Sequence, residues 1–283
     1  MIKNFFLISA NILLVACVSM KAVHADRVQK QTVQQVSQHI KPCRVQGKTM
    51  FLTGDIDPSM LDCVKSLANT HPHGFKTVRL DSPGGNVEAA LDIAEILADY
   101  HADMIVKHDC SSSCANYFLP VAKSIRLEEG AGILLHGTID DGLVEIWKQD
   151  KSETFKNTSN KYENHIQLVE KSLAFLNRHH IHRGWWLWRT HQDRLNNNFG
   201  RYVKGKPQDW PNLMCYFRHC VRSYILAEES FLKSCLKGVQ IYPFNNTAVQ
   251  RMYTDKKFRK RMTRQGVYPS GTMRCTPTSF KRT

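Results

Sequence analysis

From Thr49 to Leu135 short apolar runs alternate with segments whose apolar residues recur at helical spacing. Thr49–Thr53 suits a buried strand. Asp57-Pro58 then opens a helix through Asn69, with Met60, Leu61, Val64 and Leu67 on one face. Thr77–Leu80 reads as a second strand, broken by Pro83-Gly84-Gly85. Asn86 caps a helix carrying Val87, Ala90, Ile93, Ile96 and Leu97 on its apolar stripe. Met104–Val106 is a third strand, leading into Cys110-Ser111-Ser112-Ser113-Cys114 and a helical stretch through Val121; Gly132–Leu135 is a fourth. Strands alternating with helices predict an α/β domain with parallel pairing.

Beyond His136 the pattern changes. A long helical stretch, Glu145 to Arg178, leads to the aromatic segment Trp185-Trp186-Leu187-Trp188. These tryptophans read either as a binding ledge or as core packing. Asn196-Asn197-Asn198 and Gly205-Lys206-Pro207 mark a boundary at 200–208. The expected organisation is a polar lead-in at 26–46, with a short helix at 31–39, and a core domain at 47–200. A helical, Cys-rich extension at 208–250 and an irregular basic tail at 251–283 follow.

The first 25 residues stand apart. Lys3 precedes the apolar run Phe5 to Ala16, and Val23-His24-Ala25 offers a small-residue cleavage site, the layout of a secretory signal peptide. Leu14-Val15-Ala16-Cys17 also resembles the bacterial lipoprotein motif, which would make Cys17 a lipidated first residue. Both readings export the chain to the periplasm or cell envelope. Eight further cysteines, an even number, point to disulfides in an oxidising compartment. No zinc-type spacing is present, so no metal is expected. Cys110 and Cys114, four residues apart, are within bridging reach of each other; pairing of each with Cys43 or Cys63 is the alternative.

The net charge is +14, and ten Lys or Arg follow position 250 against the single Asp255. Such a segment reads either as a solvated tail or as a contact for an anionic membrane surface or polymer. No nucleic-acid motif accompanies it, so no specific nucleic acid is expected.

The chemistry concentrates between residues 80 and 136. A Gly84-Gly85 pair at a strand-to-helix turn lets backbone N–H groups approach a bound group closely, as an oxyanion requires. A serine at a helix start is stabilised as a nucleophile by the helix end, although such serines also serve as simple caps. A histidine near neutral pKa is the usual base for a serine.

In this order the motifs resemble the ClpP/crotonase superfamily, especially the exported ClpP-like proteins of bacteria. Phe51-Leu52-Thr53-Gly54 is similar to the first core strand of ClpP peptidases. Leu80-Asp81-Ser82-Pro83-Gly84-Gly85-Asn86 matches their Ser-Pro-Gly-Gly turn. Cys110-x-Ser112-x-Cys114 with Phe118-Leu119 is similar to the cysteine-flanked serine of the exported branch, and Ile133-Leu134-Leu135-His136 falls where the family keeps its histidine. The likeness spans roughly 47–195. It implies an α/β fold of stacked β-β-α units, followed here by the helical, Cys-rich extension.

The resemblance also implies a serine peptidase or hydrolase without cofactor. Ser112 would be the nucleophile, with Ser113 as the one-residue alternative, and His136 the base. Gly84 and Ser113 amides would form the oxyanion hole, and Asp193 is the nearest match for the third triad member. A peptide or protein substrate and a homo-oligomeric assembly follow from the same likeness. The chain departs from the family at Val121, where a glycine is usual, with Pro120 beside it. A catalytically silent envelope protein that uses this fold for binding or assembly is the alternative.

Overall fold

The computed structural model describes residues 41–135, 153–185, 203–204, 215–216, 219–220, 224–264, 267–271 and 273–275. The leader, the helix expected at 31–39, His136, Asp193, Trp186 and Trp188 lie outside the described residues. Among those described, no helix is long and apolar enough to cross a membrane.

The chain is mixed α/β. Strands β1 (Cys43–Gln46) and β2 (Thr49–Thr53) form an antiparallel hairpin. Its two-residue turn needs positive φ, which Gly47 supplies at +58°. The sheet therefore starts at Cys43, inside the segment expected as a polar lead-in. That strand escapes sequence reading because it lies at the sheet edge, where Arg44 and Gln46 stay in solvent.

Helix α1 (Pro58–Thr70) begins with proline in its first turn, and the Asp57 side chain accepts from the Met60 N–H at 2.9 Å. Strand β3 (Thr77–Ser82) pairs in parallel with β2. Helix α2 (Val87–Tyr100) is capped by Asn86, whose side chain accepts from the Ala89 N–H at 2.8 Å. Strand β4 (Asp103–Ser111) pairs in parallel with β3.

One edge of β4 then serves two partners. β5 (Ser124–Leu127) pairs with residues 103–106 and β6 (Gly132–Leu135) with residues 109–111, both in parallel. Between these halves β4 carries two extra residues: Leu80 opposes Val106, yet Ser82 opposes Cys110. This bulge lifts Lys107 and His108 into solvent and re-aims the strand end.

The strands alternate in burial because the helices cover one face. Met50 and Leu52, Val78 and Leu80, and Met104 and Val106 are fully buried against Met60, Val64, Ile93 and Leu97. On the other face Phe51 lies under the Arg44 guanidinium at 3.7 Å. A parallel sheet buried on both faces would show near-continuous apolar strands instead.

Helix α3 (Glu153–Arg178) lies within the helical stretch expected from Glu145 to Arg178, whose first residues, 145–152, are outside the described residues. It docks on α2 through Phe175, Leu176 and the ion pairs Lys171–Asp92 and Arg178–Glu95.

The C-terminal part departs most from expectation. Rather than a helical appendage and an irregular tail, it adds three strands to the same sheet. β7 (Tyr224–Leu226) runs antiparallel to β6, β8 (Gln240–Ile241) parallel to β5, and β9 (Val267–Pro269) parallel to β7. Helices α4 (Glu229–Cys235), α5 (Thr247–Thr254) and α6 (Lys256–Arg264) lie between them. The complete order is β1-β2-β3-β4-β6-β7-β9, with β5 and β8 branching from β4. Strands this short carry no legible periodicity, and β7 becomes a strand because β6 offers it an unpaired edge.

Trp185 belongs to the core, not to a surface ledge. It is fully buried and stacks on Phe231 of α4 with centroids 6.0 Å apart; its indole N–H donates to the Asn116 carbonyl at 3.2 Å.

Candidate active site

The sheet delivers two loops to one place. The first follows β3, where Ile56 clamps Gly84-Gly85: the Ile56 N–H donates to the Gly84 carbonyl at 2.9 Å, and the Asn86 N–H donates to the Ile56 carbonyl at 2.7 Å. The second is the turn after β4. A Cβ on Gly84 would stand 2.6 Å from the Ser111 carbonyl oxygen, 2.6 Å from Ser112 Cβ and 2.9 Å from the Ser113 nitrogen. With φ at +95°, position 84 accepts glycine for both conformational and steric reasons. The glycine turn and the serine turn are thus in van der Waals contact.

Backbone conformation separates the three serines. Ser111 and Ser113 are buried, at 4% and 2% exposure. The Ser111 hydroxyl donates to Asp109 Oδ1 at 2.6 Å. The Ser113 hydroxyl accepts from the Gly85 N–H at 2.8 Å and donates to the Gly85 carbonyl at 2.8 Å, stitching the two loops together. Ser112 is half-buried and left-handed, with φ +56°. For a residue with a Cβ that conformation is uncommon and must be held by its surroundings.

Several contacts hold it. The Ser112 N–H donates to the Leu134 carbonyl of β6 at 2.9 Å, and its carbonyl accepts from the Asn116 N–H at 2.8 Å. A disulfide joins Cys110, in β4, to Cys114, the first residue of the following turn, with Cα atoms 5.3 Å apart. Cys43 pairs with Cys63 and Cys235 with Cys275, so the Cys110–Cys114 alternative is the one formed.

The helical stretch expected through Val121 is a wide π turn, Cys114–Phe118, followed by a tight 3₁₀ turn, Leu119–Val121. Pro120 accounts for the break, since it has no N–H to continue the helical ladder.

The proposed oxyanion donors differ in their present bonding. The Gly84 N–H donates to Ser82 Oγ at 3.1 Å. The Ser113 nitrogen borders the glycine turn, 2.9 Å from where a Cβ at position 84 would stand. Leu135, the last residue of β6, immediately precedes His136 in the chain, and β6 is the strand that receives the Ser112 N–H. Neither His136 nor Asp193 is among the described residues.

Two polar pairs beside the site were not foreseen. His108, in the β4 bulge, meets Asp81 Oδ2 through Nδ1 at 2.8 Å. Asp109 sits next to it, and burial raises its carboxyl above the ordinary aspartate value. The Ser111 hydroxyl works against that shift and the negative charge of Asp81 adds to it. The only trace in the sequence is an acidic residue just before each loop. Among the described residues no group of three or more His, Cys, Asp or Glu side chains could hold a metal.

No family model matches the chain, and no curated protein matches it. Among solved structures, a ClpP1 point mutant from Listeria monocytogenes aligns at 17% identity with a TM-score of 0.30; the alignment covers 36% of this chain and 63% of that one.

Proposed function

We propose that this protein is an exported, ClpP-like serine hydrolase acting on peptide or protein substrates, with Ser112 as its nucleophile. The observation that carries the reading is the conformation of Ser112. Of three adjacent serines it alone is left-handed and half-buried at a strand-to-helix elbow, while Ser111 and Ser113 are buried. A strained turn that lifts one hydroxyl out of the backbone is how other hydrolase folds present a nucleophile. The likeness of the Ser-Pro-Gly-Gly and cysteine-flanked serine motifs to ClpP relatives supports the same residue.

In this reading Ser112 Oγ attacks the scissile carbonyl carbon while its proton passes to His136. The oxygen of the tetrahedral intermediate is stabilised by the Ser113 N–H and by the Gly84 N–H, which exchanges Ser82 Oγ for it. The imidazolium returns the proton to the leaving amine. Water then repeats the sequence on the acyl-enzyme, with Asp193 orienting His136. The three disulfides among the described residues fit an oxidising compartment, the periplasm or cell envelope, and homo-oligomers are the expected assembly state.

One observation favours a second reading, a silent binding protein: the Gly84 N–H is already satisfied by Ser82. Fluorophosphonate labelling of the oxidised protein decides between them. The hydrolase reading expects a single adduct on the peptide containing Ser112, abolished in Ser112→Ala. Ser113→Ala, which loses the stitch to Gly85, slows labelling without moving the adduct. An absence of adduct in a folded sample supports the silent protein.

A further inference from the structure

Helix α6 places six cations in nine residues, Lys256, Lys257, Arg259, Lys260, Arg261 and Arg264, with no acidic residue among them. All six are exposed, and none forms an ion pair among the described residues. Asp255, just before the helix, is used as the cap: it accepts from the Lys257 and Phe258 N–H groups at 2.9 Å each and faces Arg251 at 3.8 Å.

The two apolar residues of the helix are spent on docking. Met262 packs against the cluster of Leu226, Val249 and Val267, and Phe258 is covered by the Arg251 guanidinium at 4.1 Å. With 3.6 residues per turn, Lys256, Lys260 and Arg264 form a row about 12 Å long, and Lys257 lies beside it on the same side.

This arrangement opposes the helix's own stability. Lys256 and Lys257 occupy the first turn, where the helix dipole disfavours positive charge. Lys256/Lys260, Lys257/Arg261 and Lys260/Arg264 are like charges one turn apart. A folded helix that concentrates unpaired charge against these local rules gains from an external anion, and nothing in the sheet requires it.

We propose that this face docks the protein, peripherally, on a bilayer containing anionic lipid. Among the described residues no aromatic side chain is exposed on this helix face to stack on a base. Phe258 is half-buried beneath the Arg251 guanidinium and Met262 packs on the Leu226 cluster, so the contact is electrostatic and does not insert apolar side chains as an interfacial helix does. The exporting leader read in the sequence brings the chain to a bilayer-bounded compartment. The inference stands whether or not Ser112 is a nucleophile.

Cosedimentation of the full chain with vesicles tests it, using phosphatidylcholine alone and a 3:1 mixture with phosphatidylglycerol, at low and high salt. A triple variant, Lys257→Gln, Lys260→Gln and Arg264→Gln, is compared under identical conditions, so that any contribution of the leader cancels. These exposed positions make no contact the fold depends on. Each cation near an anionic surface contributes about a fivefold gain in affinity, so the triple variant binds the anionic vesicles about a hundredfold more weakly. Wild-type binding is expected to fall with salt and to be absent on neutral vesicles. Equal binding by the two proteins overturns the proposal. So does wild-type retention by soluble heparin, lost in the variant, without any difference on vesicles, because it identifies a linear polyanion as the partner.

Discussion

Removing the three disulfides of the described residues one at a time separates what holds the fold from what holds the elbow. Cys110–Cys114 spans 4 positions, Cys43–Cys63 spans 20 and Cys235–Cys275 spans 40. In the chain-entropy account these loops correspond to about 2, about 3 and about 4 kcal/mol of stabilisation. Paired Cys→Ala variants should therefore lose stability in that order, with Cys110→Ala/Cys114→Ala the mildest. Reactivity should rank the other way. A left-handed non-glycine residue carries about 1–3 kcal/mol of strain, which the short bridge helps to contain.

Once the bridge is gone, relaxation of Ser112 by 1–2 kcal/mol lowers the population of the reactive geometry by about 5–30-fold. Urea unfolding gives the first ranking and the fluorophosphonate labelling rate the second. The other two variants, measured well below their unfolding transitions, should label within about twofold of wild type. If the Cys110→Ala/Cys114→Ala protein labels as fast as wild type, the elbow is not held by its disulfide; if it is the least stable of the three, loop length does not set the stability ranking.

Gly84→Ala meets the Ser111 carbonyl and Ser112 Cβ at 2.6 Å with φ at +95°, whereas Gly54→Ala has a similar φ of +91° and open space around it. Strain alone should cost Gly54→Ala about 1–2 kcal/mol, and strain plus overpacking should cost Gly84→Ala about 2–5 kcal/mol, with labelling lost only in the latter; equal effects on both would show that the two loops are not in contact. Burial raises the Asp109 carboxyl above its unfolded value, so its favourable contribution is complete below the ordinary aspartate range and is lost as pH rises through the raised value. Urea stability measured at pH 4 and pH 7 should accordingly shift upward at pH 7, relative to pH 4, in Asp109→Asn; an unchanged difference would mean that Asp109 is solvated.

What the sequence made legible was local. Thr49–Thr53 and Gly132–Leu135 are strands with the bounds their apolar runs indicate, and Asp57 and Asn86 cap the helices they precede. Each of these depends on side chains within a few positions. What stayed hidden depends on partners far away in the chain: β1 needs β2 beside it, β7 needs the free edge of β6, and the bulge at Lys107 and His108 arises only from registering β4 against β3. The same division runs through the site. Motif spacing placed the serine cluster and the glycine pair in order, but it left Ser112 and Ser113 one slip apart. Their distinction lies in a backbone torsion and in a hydrogen bond across 28 positions, from Gly85 to Ser113, neither of which a linear pattern encodes.

The antiparallel pairing of Ile225 with Leu135 has a consequence for biogenesis. A chain emerging from its amino end completes β1 to β6 while the outer side of β6 has no neighbour, and it must wait for β7 to be delivered. Cys235 cannot meet Cys275 until the chain has emerged through residue 275, 40 positions later. During that interval an open strand edge and the underside of the serine elbow, later sealed by Trp185 and Phe231, are both accessible. Nascent molecules are then prone to strand-mediated association, and a holdase or disulfide isomerase acting late would matter more than one acting early. Truncation after the long helix α3 would leave a species that contains the glycine turn, the serine elbow and His136, yet lacks Asp193 and has never closed its sheet.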